Sequence, residues 1–290
     1  MEMNAPEPQK SSNKWLIGIG IGCGGVVVMI IILIIAGIFF MKNLTQGFRD
    51  SEEMQKSLTA KFGRIEDYCP NPDGTISPER LRVFLSVREA SAPVRRKLEA
   101  SFEVLSRAKK GGEVEFKSSP NIFSMIKLGV GVVPQIAEFS KVRNQALLQS
   151  GMGTGEYYYI YVTAYFSWLK KPVDDGPGFR LIGPRQNRMD FNNQEAQEYQ
   201  RDLAQRRVHR IILPMLQCQF AKLAPAAGGG KAADKWREAL AAEIKAMEAD
   251  RYRRPWENGL PEVLEAALKP FREQLEASYS RLTNPLEIAF

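Results

Sequence analysis

Histidine and cysteine are scarce in this sequence, with one histidine and three cysteines among 290 residues. Three cysteines are too few for a disulfide-dense small protein or a four-cysteine zinc site. The single histidine, His209, has no His or Glu four residues away with which it could share a metal ion. The sequence also lacks a G-x-S-x-G motif, a Walker loop and a G-x-G-x-x-G segment placed between a strand and a helix. We therefore predict no catalytic residue, no cofactor and no metal site.

The remaining composition is that of an ordinary folded protein. Hydrophobic residues make up 44% and charged residues 25%, which excludes wholesale disorder. The net charge of +7 is spread along the chain, and its basic clusters are mixed with acidic residues. These patterns are typical of solvated helix faces. If one cluster has a partner, the predicted anchor favours anionic lipid over nucleic acid. The clusters are Arg95-Arg96-Lys97, Lys170-Lys171, Arg206-Arg207 with Arg210, and Arg251 with Arg253-Arg254.

Charged residues are absent from residues 15–41, and the part from Val26 to Phe40 has no polar face. As a helix, 27 residues at about 1.5 Å each extend for about 40 Å, which is enough to cross a hydrocarbon core of about 30 Å. A cleaved signal peptide has a shorter apolar region, and the apolar run continues well past Cys23, unlike a lipoprotein cleavage site. We therefore predict a permanent transmembrane anchor at 15–41, after a short tail at 1–14.

Glycines are concentrated in the first half of this anchor. Gly18 and Gly22 form one G-x-x-x-G motif, and Gly20 and Gly24 form a second. Such faces let two helices approach closely in lipid, so they favour self-association of the anchor. The alternative is that glycine is simply common in membrane helices.

The orientation of the anchor is only weakly encoded. Lys10 and Lys14 lie before it, and Lys42, Arg49 and Lys56 follow it, so the positive-inside rule gives nearly a tie. A short tail before a single span favours a cytoplasmic N-terminus and an exported body at the cell membrane of a bacterium. In that body, the pair Cys69 and Cys218 is either a disulfide or two buried thiols.

The body, residues 65–290, is predicted to be an all-α, bundle-like domain, because its apolar residues recur at helical spacing almost throughout. A juxtamembrane helix or linker at 42–64 should end at Gly63, and Ser77 and Pro78 should begin the next helix. Further predicted elements are helices at 193–223 (interrupted near Pro214), 233–251 and 261–282, with a flexible connector at 224–232.

Two regions are less regular. Residues 120–139 are apolar but contain glycines and a proline, which favours a buried helix pair over a second membrane span. Residues 154–169 hold consecutive aromatic residues, which is typical of a helix buried on both sides, although such a helix also suits the wall of a ligand cavity. Residues 113–117 alternate like a short strand, and 170–190 are predicted to be a loop.

One internal similarity suggests an old duplication. Residues 93–105 and 270–282 align without a gap, with seven of thirteen positions identical, and each stretch begins at a proline. The hypothesis is two equivalent kinked helical arms. The alternative is a coincidence of common helix residues.

Two loops imitate ligand sites. Cys69 to Arg80 has Asn71, Asp73 and Gly74 at calcium-loop positions, but it lacks the first acid and the closing Glu, so a plain turn is the better interpretation. Residues 151–155 are glycine-rich but lack a preceding strand and a following lysine, so we interpret them as a helix start capped by Thr154.

These observations predict a single-pass envelope protein whose body is a non-catalytic interaction or scaffolding module with an unknown protein partner. One alternative is a carrier or sensor of an apolar ligand, bound between 120–139 and the aromatic helix. A second is an extracytoplasmic enzyme, which requires titratable groups such as Glu156, Asp202 and His209 to converge in a cleft.

Overall fold

The computed structural model describes residues 49–110, 122–174, 176, 194–223 and 231–288, and these residues form helices and turns without a strand. The all-α prediction is therefore confirmed for this part of the chain. Within it, no helix combines the length and the apolar character needed to cross a bilayer. The predicted tail and anchor (1–41), the possible strand at 113–117, and most of 170–190 and 224–232 lie outside the described residues.

Helices of very different length make up the described ranges. They are α1 (described over 49–62), α2 (Pro78–Lys110), α3 (Ile122–Ser150), α4 (Thr154–Tyr161), α5 (Gln194–Ala221), α6 (Lys231–Ala249), α7 (Glu262–Leu268), α8 (Arg272–Ser278) and α9 (Asn284–Glu287). Helix α4 continues as π-helical turns over Val162–Trp168, and 3-10 turns occupy Ile65–Asp67 and Lys269–Phe271.

Helix ends follow the local sequence closely. Helix α1 stops before Gly63, whose φ of 82° is in the left-handed region that glycine adopts without strain. Ser77 Oγ accepts a hydrogen bond from the Arg80 amide at 3.2 Å, and Pro78 is the first residue of α2. Both predicted boundaries are confirmed. Thr154, by contrast, is the first residue of α4, and Gly153 occupies the cap position without a side-chain hydrogen bond.

Prolines interrupt the helices less than predicted. Helix α3 runs without a break through Pro134, so the helix pair predicted for 120–139 is wrong, and α5 likewise continues through Pro214. A proline inside a helix costs about 3 kcal/mol because it removes one hydrogen bond and crowds the preceding turn. Tertiary packing offsets this cost on both helices, since Phe139 of α3 and Met215 of α5 are fully buried.

The single helix predicted for 261–282 is also wrong, because the chain there breaks into α7, a 3-10 turn and α8 before Tyr279 becomes extended. Pro270 lies in the 3-10 turn, whereas Pro93 lies inside the 33-residue α2. The similar stretches 93–105 and 270–282 therefore do not form equivalent arms, and the duplication hypothesis loses its structural basis.

The main core surrounds the aromatic helix. Every residue from Tyr157 to Ser167 is buried, which confirms that α4 and its π-helical continuation are enclosed on all sides. The rings contact one another, with 4.7 Å between the centroids of Tyr161 and Tyr165 and 5.0 Å between those of Phe84 and Tyr157. Consecutive aromatic residues therefore serve here to fill the centre of a helical body.

A smaller core joins α2 and α3. Ser101 Oγ of α2 donates to Gln135 Oε1 of α3 at 3.0 Å, and Arg88, earlier on α2, shares a carboxylate with Arg143, later on α3. The two helices therefore run antiparallel, as a long hairpin. The residues of this core are all nearly inaccessible to solvent, and they are Val94, Leu98, Phe102, Val132 and Phe139.

Candidate functional site

A buried ionic cluster lies between α2, α4 and α9, and Arg88 is at its centre. Arg88 Nη1 donates to a Glu287 carboxylate oxygen, and the two side chains are 199 residues apart in sequence. Tyr157 Oη donates to the other Glu287 oxygen at 2.9 Å and accepts from Arg88 at 3.2 Å. All three residues are at most 1% exposed. We call these residues, with Arg143, the arginine–tyrosine cluster.

Arg88 reaches this position because of its register on α2. It lies seven residues after Leu81 and four after Phe84, so it continues the stripe that faces the main core. Its guanidinium lies 5.2 Å from the Tyr161 ring centre and 5.4 Å from that of Tyr165, within cation–π range. The aromatic rings thus replace water around the charge.

Arg143 of α3 adds a second buried guanidinium. Its Nη1 lies 3.8 Å from a Glu287 oxygen and donates to the Leu286 carbonyl at 3.0 Å. Arg95, 7% exposed, also borders the cluster, where its Nη1 lies 3.5 Å from the Arg88 carbonyl oxygen. A single fully buried carboxylate is therefore shared by arginines from two helices, with a third close by.

The electrostatics of the cluster are those of a structural contact. Burial disfavours the charged form of Arg88, but the attraction to Glu287, added to that of the surrounding tyrosines, outweighs burial and raises the Arg88 pKa well above its ordinary value. Burial, followed by the Glu287 charge, raises the pKa of the Tyr157 phenol, which keeps its proton and donates. Burial lowers the pKa of Arg143, and Glu287 opposes that shift. Neither a protonated phenol nor a guanidinium acts as a base at neutral pH, so the cluster holds the chain in place.

The element held in place is the C-terminal segment, residues 278–288. Arg88 Nη2 donates to the Ser278 carbonyl, and Arg207 of α5 donates to the Ile288 carbonyl at 3.2 Å. Asn284 accepts from Tyr161 Oη at 2.8 Å and donates to the Val173 carbonyl at 3.0 Å. Side chains from α2, α3, α4 and α5 thus all bind this short segment.

A second segment is fastened by a covalent bond. Cys69, in residues 64–77, forms a disulfide with Cys218 of α5 across a Cα–Cα distance of 5.5 Å. Of the two alternatives left open by the sequence, the structure therefore has the bridge. The next residue, Gln219, donates to the Asn71 carbonyl at 2.5 Å, and Trp236 Nε1 donates to the Pro72 carbonyl at 2.7 Å. We call residues 64–77 the disulfide loop.

Inside the disulfide loop, the side chains that imitate calcium ligands bond to the loop itself. Asp73 Oδ1 accepts from the Thr75 amide at 3.0 Å and from the Thr75 hydroxyl at 2.7 Å. Asn71 donates to the Thr75 carbonyl at 2.9 Å. This pattern is an Asx turn, as the plain-turn interpretation predicts. Across the described ranges, no three His, Cys, Asp or Glu residues are grouped so as to hold a metal ion.

The three residues proposed for the enzyme alternative have separate surroundings. Glu156 forms a bidentate pair with Arg80, with distances of 2.5 and 2.6 Å. His209 Nε2 lies 2.6 Å from the Met247 carbonyl oxygen of α6, which makes it a packing residue. Asp202 is half-buried on α5, two turns before His209. The titratable groups that do converge are those around Glu287, and they are closed to solvent.

The basic clusters combine exposed cations with cations that bond to groups of the body. Arg253 pairs with the buried Glu243 at 2.9 Å, and Lys170 donates to the Trp256 carbonyl at 3.4 Å. Burial, reinforced by the charge of Arg254, lowers the pKa of Lys170. These two cations therefore fasten turns of the body, whereas the sequence predicts solvated helix faces.

The carrier alternative requires a cavity between 120–139 and the aromatic helix. The wall supplied by α4 is occupied, since the rings of Tyr161, Tyr165 and Phe166 contact each other. The side chains of 120–131 lie outside the described residues, so the opposite wall stays a prediction.

Sequence reasoning missed the arginine–tyrosine cluster. The available signal was Arg88 itself, which is a charged residue placed on an otherwise apolar helical stripe, because such a position demands a buried partner. The identity of that partner, 199 residues away, was not encoded locally.

No family model matches the chain, and neither the curated proteins nor the solved structures contain a match to it.

Proposed function

We propose that the chain is a single-pass membrane protein of the bacterial cell envelope. Its all-α body is held outside the cytoplasm as a non-catalytic interaction or scaffolding module. The observation that carries the proposal is the Cys69–Cys218 disulfide. Disulfides persist in oxidising compartments and are rare in the cytosol, so the bridge supports export of the body. The uncharged run at 15–41 supports the permanent attachment.

The non-catalytic part of the proposal is supported by how the polar groups are used. The C-terminal segment is bound by the side chains of Arg88, Arg143 and Tyr157. The carboxylate of Glu156 is likewise bound by Arg80. A body fastened by a disulfide at one segment and by arginines at another presents a fixed surface, which suits docking of a partner.

The compartment is tested by the chemistry of the disulfide in spheroplasts. The full chain is briefly reduced and then exposed to a membrane-impermeant maleimide, with a Cys69→Ser and Cys218→Ser double variant as the control. We expect label on the natural chain before lysis and none on the control, in which only Cys23 of the predicted anchor remains. If the natural chain is labelled only after lysis, the body is cytoplasmic and the proposed orientation is wrong. If alkaline carbonate releases the chain from membranes, the proposed transmembrane anchor is wrong.

The interaction role is tested by capture after crosslinking in cells. Full-length protein is compared with a copy that lacks residues 1–41 but is exported by a cleavable signal. We expect the same protein partner with both, because the surface that binds the partner belongs to the body, whereas the anchor only localises the protein to the membrane. Absence of a reproducible partner for the full-length protein would contradict the proposal.

Self-association through the anchor is part of the same proposal. Replacing Gly18 and Gly22 by leucine is expected to abolish the crosslinked dimer in membranes, because the two backbones then stay apart. Replacing Val28 and Ile32, at the same spacing, is the matched control and should leave the dimer intact. An equal dimer yield in both variants would contradict pairing through the glycines.

A further inference from the structure

The disulfide loop is connected to a second loop through two buried tryptophans. Trp236 Nε1 of α6 donates to the Pro72 carbonyl at 2.7 Å, and a Cβ at Gly74 would lie 2.7 Å from the Trp236 ring. The disulfide loop is therefore in direct contact with this indole. The Trp236 ring also packs on that of Trp256, with 5.8 Å between their centroids, and both residues are at most 6% exposed. We call residues 250–260 the tryptophan loop.

The tryptophan loop contains a strained residue. Trp256 has a φ of 55°, in the left-handed region that a bulky side chain adopts only at a cost in free energy. Lys170 has a φ of 53°, and in the part of the chain that the structure describes no other residue except glycine has a positive φ. Lys170 Nζ donates to the carbonyls of Trp256 and Glu257, at 3.4 and 3.2 Å. The two strained residues therefore meet at one place.

Contacts with α6 hold Trp256 in this conformation. The Trp256 amide donates to Glu243 Oε1 at 2.8 Å, and Arg253 donates to the same carboxylate twice, at 2.9 and 3.1 Å. Glu243 follows Trp236 by seven residues, or about two helical turns, so both side chains project from the same face of α6. A strained backbone persists only where its surroundings over-determine it. The conformation of the tryptophan loop therefore depends in part on Trp236.

The disulfide at the other end of this connection is open to thiol exchange. Cys69 and Cys218 are only half-buried, unlike the fully buried members of the arginine–tyrosine cluster. A thiolate of an added dithiol attacks one cysteine sulfur and displaces the other as a thiolate, which leaves a mixed disulfide. The second thiolate of the dithiol then breaks the mixed disulfide. Two electrons and two protons pass to the protein, which keeps two thiols, and the dithiol becomes a disulfide.

We propose that the Cys69–Cys218 disulfide controls the conformation of the tryptophan loop. With the bridge closed, the disulfide loop supports Trp236, and Trp236 supports the left-handed Trp256. With the bridge reduced, the disulfide loop loses its covalent attachment, Trp236 loses part of its support, and Trp256 relaxes out of the left-handed region. Exposed side chains of the tryptophan loop move with it, and these are Arg251, Glu257 and Asn258.

This control makes the shape of an exposed surface depend on the compartment. A newly made chain is reduced in the cytosol, and its bridge closes in an oxidising compartment. Under the proposed function, on which this one consequence rests, the tryptophan loop therefore reaches its fixed shape only after export, where the partner docks. The coupling between the two loops is a property of the body and does not depend on where the chain is located.

The test is hydrogen–deuterium exchange of the full chain in detergent, measured by mass spectrometry before and after reduction with dithiothreitol. We expect exchange of the Trp256 and Gly259 amides to rise about tenfold on reduction, because the bonds that they donate need the left-handed Trp256. Exchange in the C-terminal segment should stay unchanged, since the arginine–tyrosine cluster holds it. The Cys69→Ser and Cys218→Ser double variant should exchange rapidly at 250–260 with or without the reductant.

Three outcomes overturn the inference. Faster exchange in 64–77 without a change in 250–260 would mean that the bridge does not act beyond its own loop. An equal rise in 278–288 would mean that reduction loosens the whole body. A further rise at 250–260 when the double variant is treated with the reductant would mean that the change does not require the bridge. None of these outcomes bears on the proposed anchor or export, which the labelling experiment tests separately.

A substitution tests the connection while the bridge stays intact. Trp236→Phe removes the hydrogen bond to Pro72 and reduces the ring contact with Trp256, so the oxidised variant should already exchange rapidly at 250–260. Trp168→Phe, at a half-buried tryptophan beside Arg272, is the matched control and should respond to reduction as the natural chain does. Circular dichroism shows whether the helices persist. A folded Trp236→Phe variant whose tryptophan loop behaves as in the natural chain overturns the inference.

Discussion

The disulfide loop and the C-terminal segment are both bound to the helical body, but by different chemistry. The loop is joined through Cys69–Cys218 and two hydrogen bonds to its carbonyls. The C-terminal segment has no covalent link there and depends on Glu287 and on backbone carbonyls that accept from arginines. One attachment therefore depends on the redox environment, whereas the other depends on exclusion of water.

This difference also separates how the two attachments fail. A reduced disulfide leaves two small thiols, which are tolerated in a protein interior. A broken buried ion pair leaves a charge without compensation, which costs several kcal/mol. Removal of one partner should therefore harm the C-terminal segment more than the loop.

The largest effect is expected from Arg88→Ala. This variant leaves the buried Glu287 carboxylate without its main partner, and unfolding free energy should fall by about 3–5 kcal/mol. Denaturant titration measures the change. The matched control is Glu262→Gln, which removes the pair of Glu262 with Lys235, whose side chains are 86% and 77% exposed. That surface change should cost at most about 1 kcal/mol. Similar losses in the two variants would show that the buried pair has no special role.

Removing the disulfide should have the next largest effect. The Cys69→Ser and Cys218→Ser double variant opens a link across 149 residues, and stability should fall by about 2–4 kcal/mol, chiefly because the unfolded chain gains freedom. Adding a reductant to the natural chain should give the same loss, whereas it should not change the stability of the double variant. A reductant that leaves the natural chain unaffected would contradict a stabilising role for the bridge.

The boundary signals of the fold could be predicted because they are local. The effects of Ser77, Pro78 and Gly63 extend no further than the adjacent helical turn, so the local sequence is enough to predict them. The burial of the aromatic helix was predictable for a similar reason, since consecutive aromatic residues leave no polar face.

Long-range features could not be predicted in this way. Continuity of α3 through Pro134 depends on packing with α2, which no window around the proline contains. The Arg88–Glu287 pair depends on where the C-terminal segment returns to the body. The presence of two cysteines in the body made a disulfide possible, but only the fold shows that Cys69 and Cys218 are close enough to form it.

A glycine comparison sharpens how the disulfide loop is seated. Gly74 and Gly151 have φ of 79° and 66°, so alanine at either position is strained by about 1–2 kcal/mol. A Cβ at Gly74 would also lie 2.7 Å from the Trp236 ring, whereas nothing lies within 4 Å of one at Gly151. Gly74→Ala should therefore lose about 1–3 kcal/mol more than Gly151→Ala, because the loop must shift from Trp236. Equal losses in thermal unfolding would mean that this contact is easily relieved.

The smallest effect at neutral pH is expected from Tyr68→Phe, and it grows in alkali. Burial, followed by the charge of Glu156, raises the pKa of Tyr68 in the disulfide loop, and burial with Glu287 raises that of Tyr157 in the arginine–tyrosine cluster. An unfolded tyrosine ionises near pH 10, so these groups leave stability unchanged below about pH 10.

Above that pH the unfolded chain releases protons that the folded chain keeps, and stability falls by up to about 1.4 kcal/mol per pH unit for each such phenol. Tyr68→Phe and Tyr157→Phe should each make this alkaline decline less steep. Only Tyr157→Phe should also weaken the protein at neutral pH, because it removes a donor to Glu287. Denaturant titrations at a series of alkaline pH values measure the slopes. An unchanged slope in Tyr68→Phe would mean that the disulfide loop opens before the body unfolds and exposes this phenol early, so that the covalently joined segment is the looser of the two.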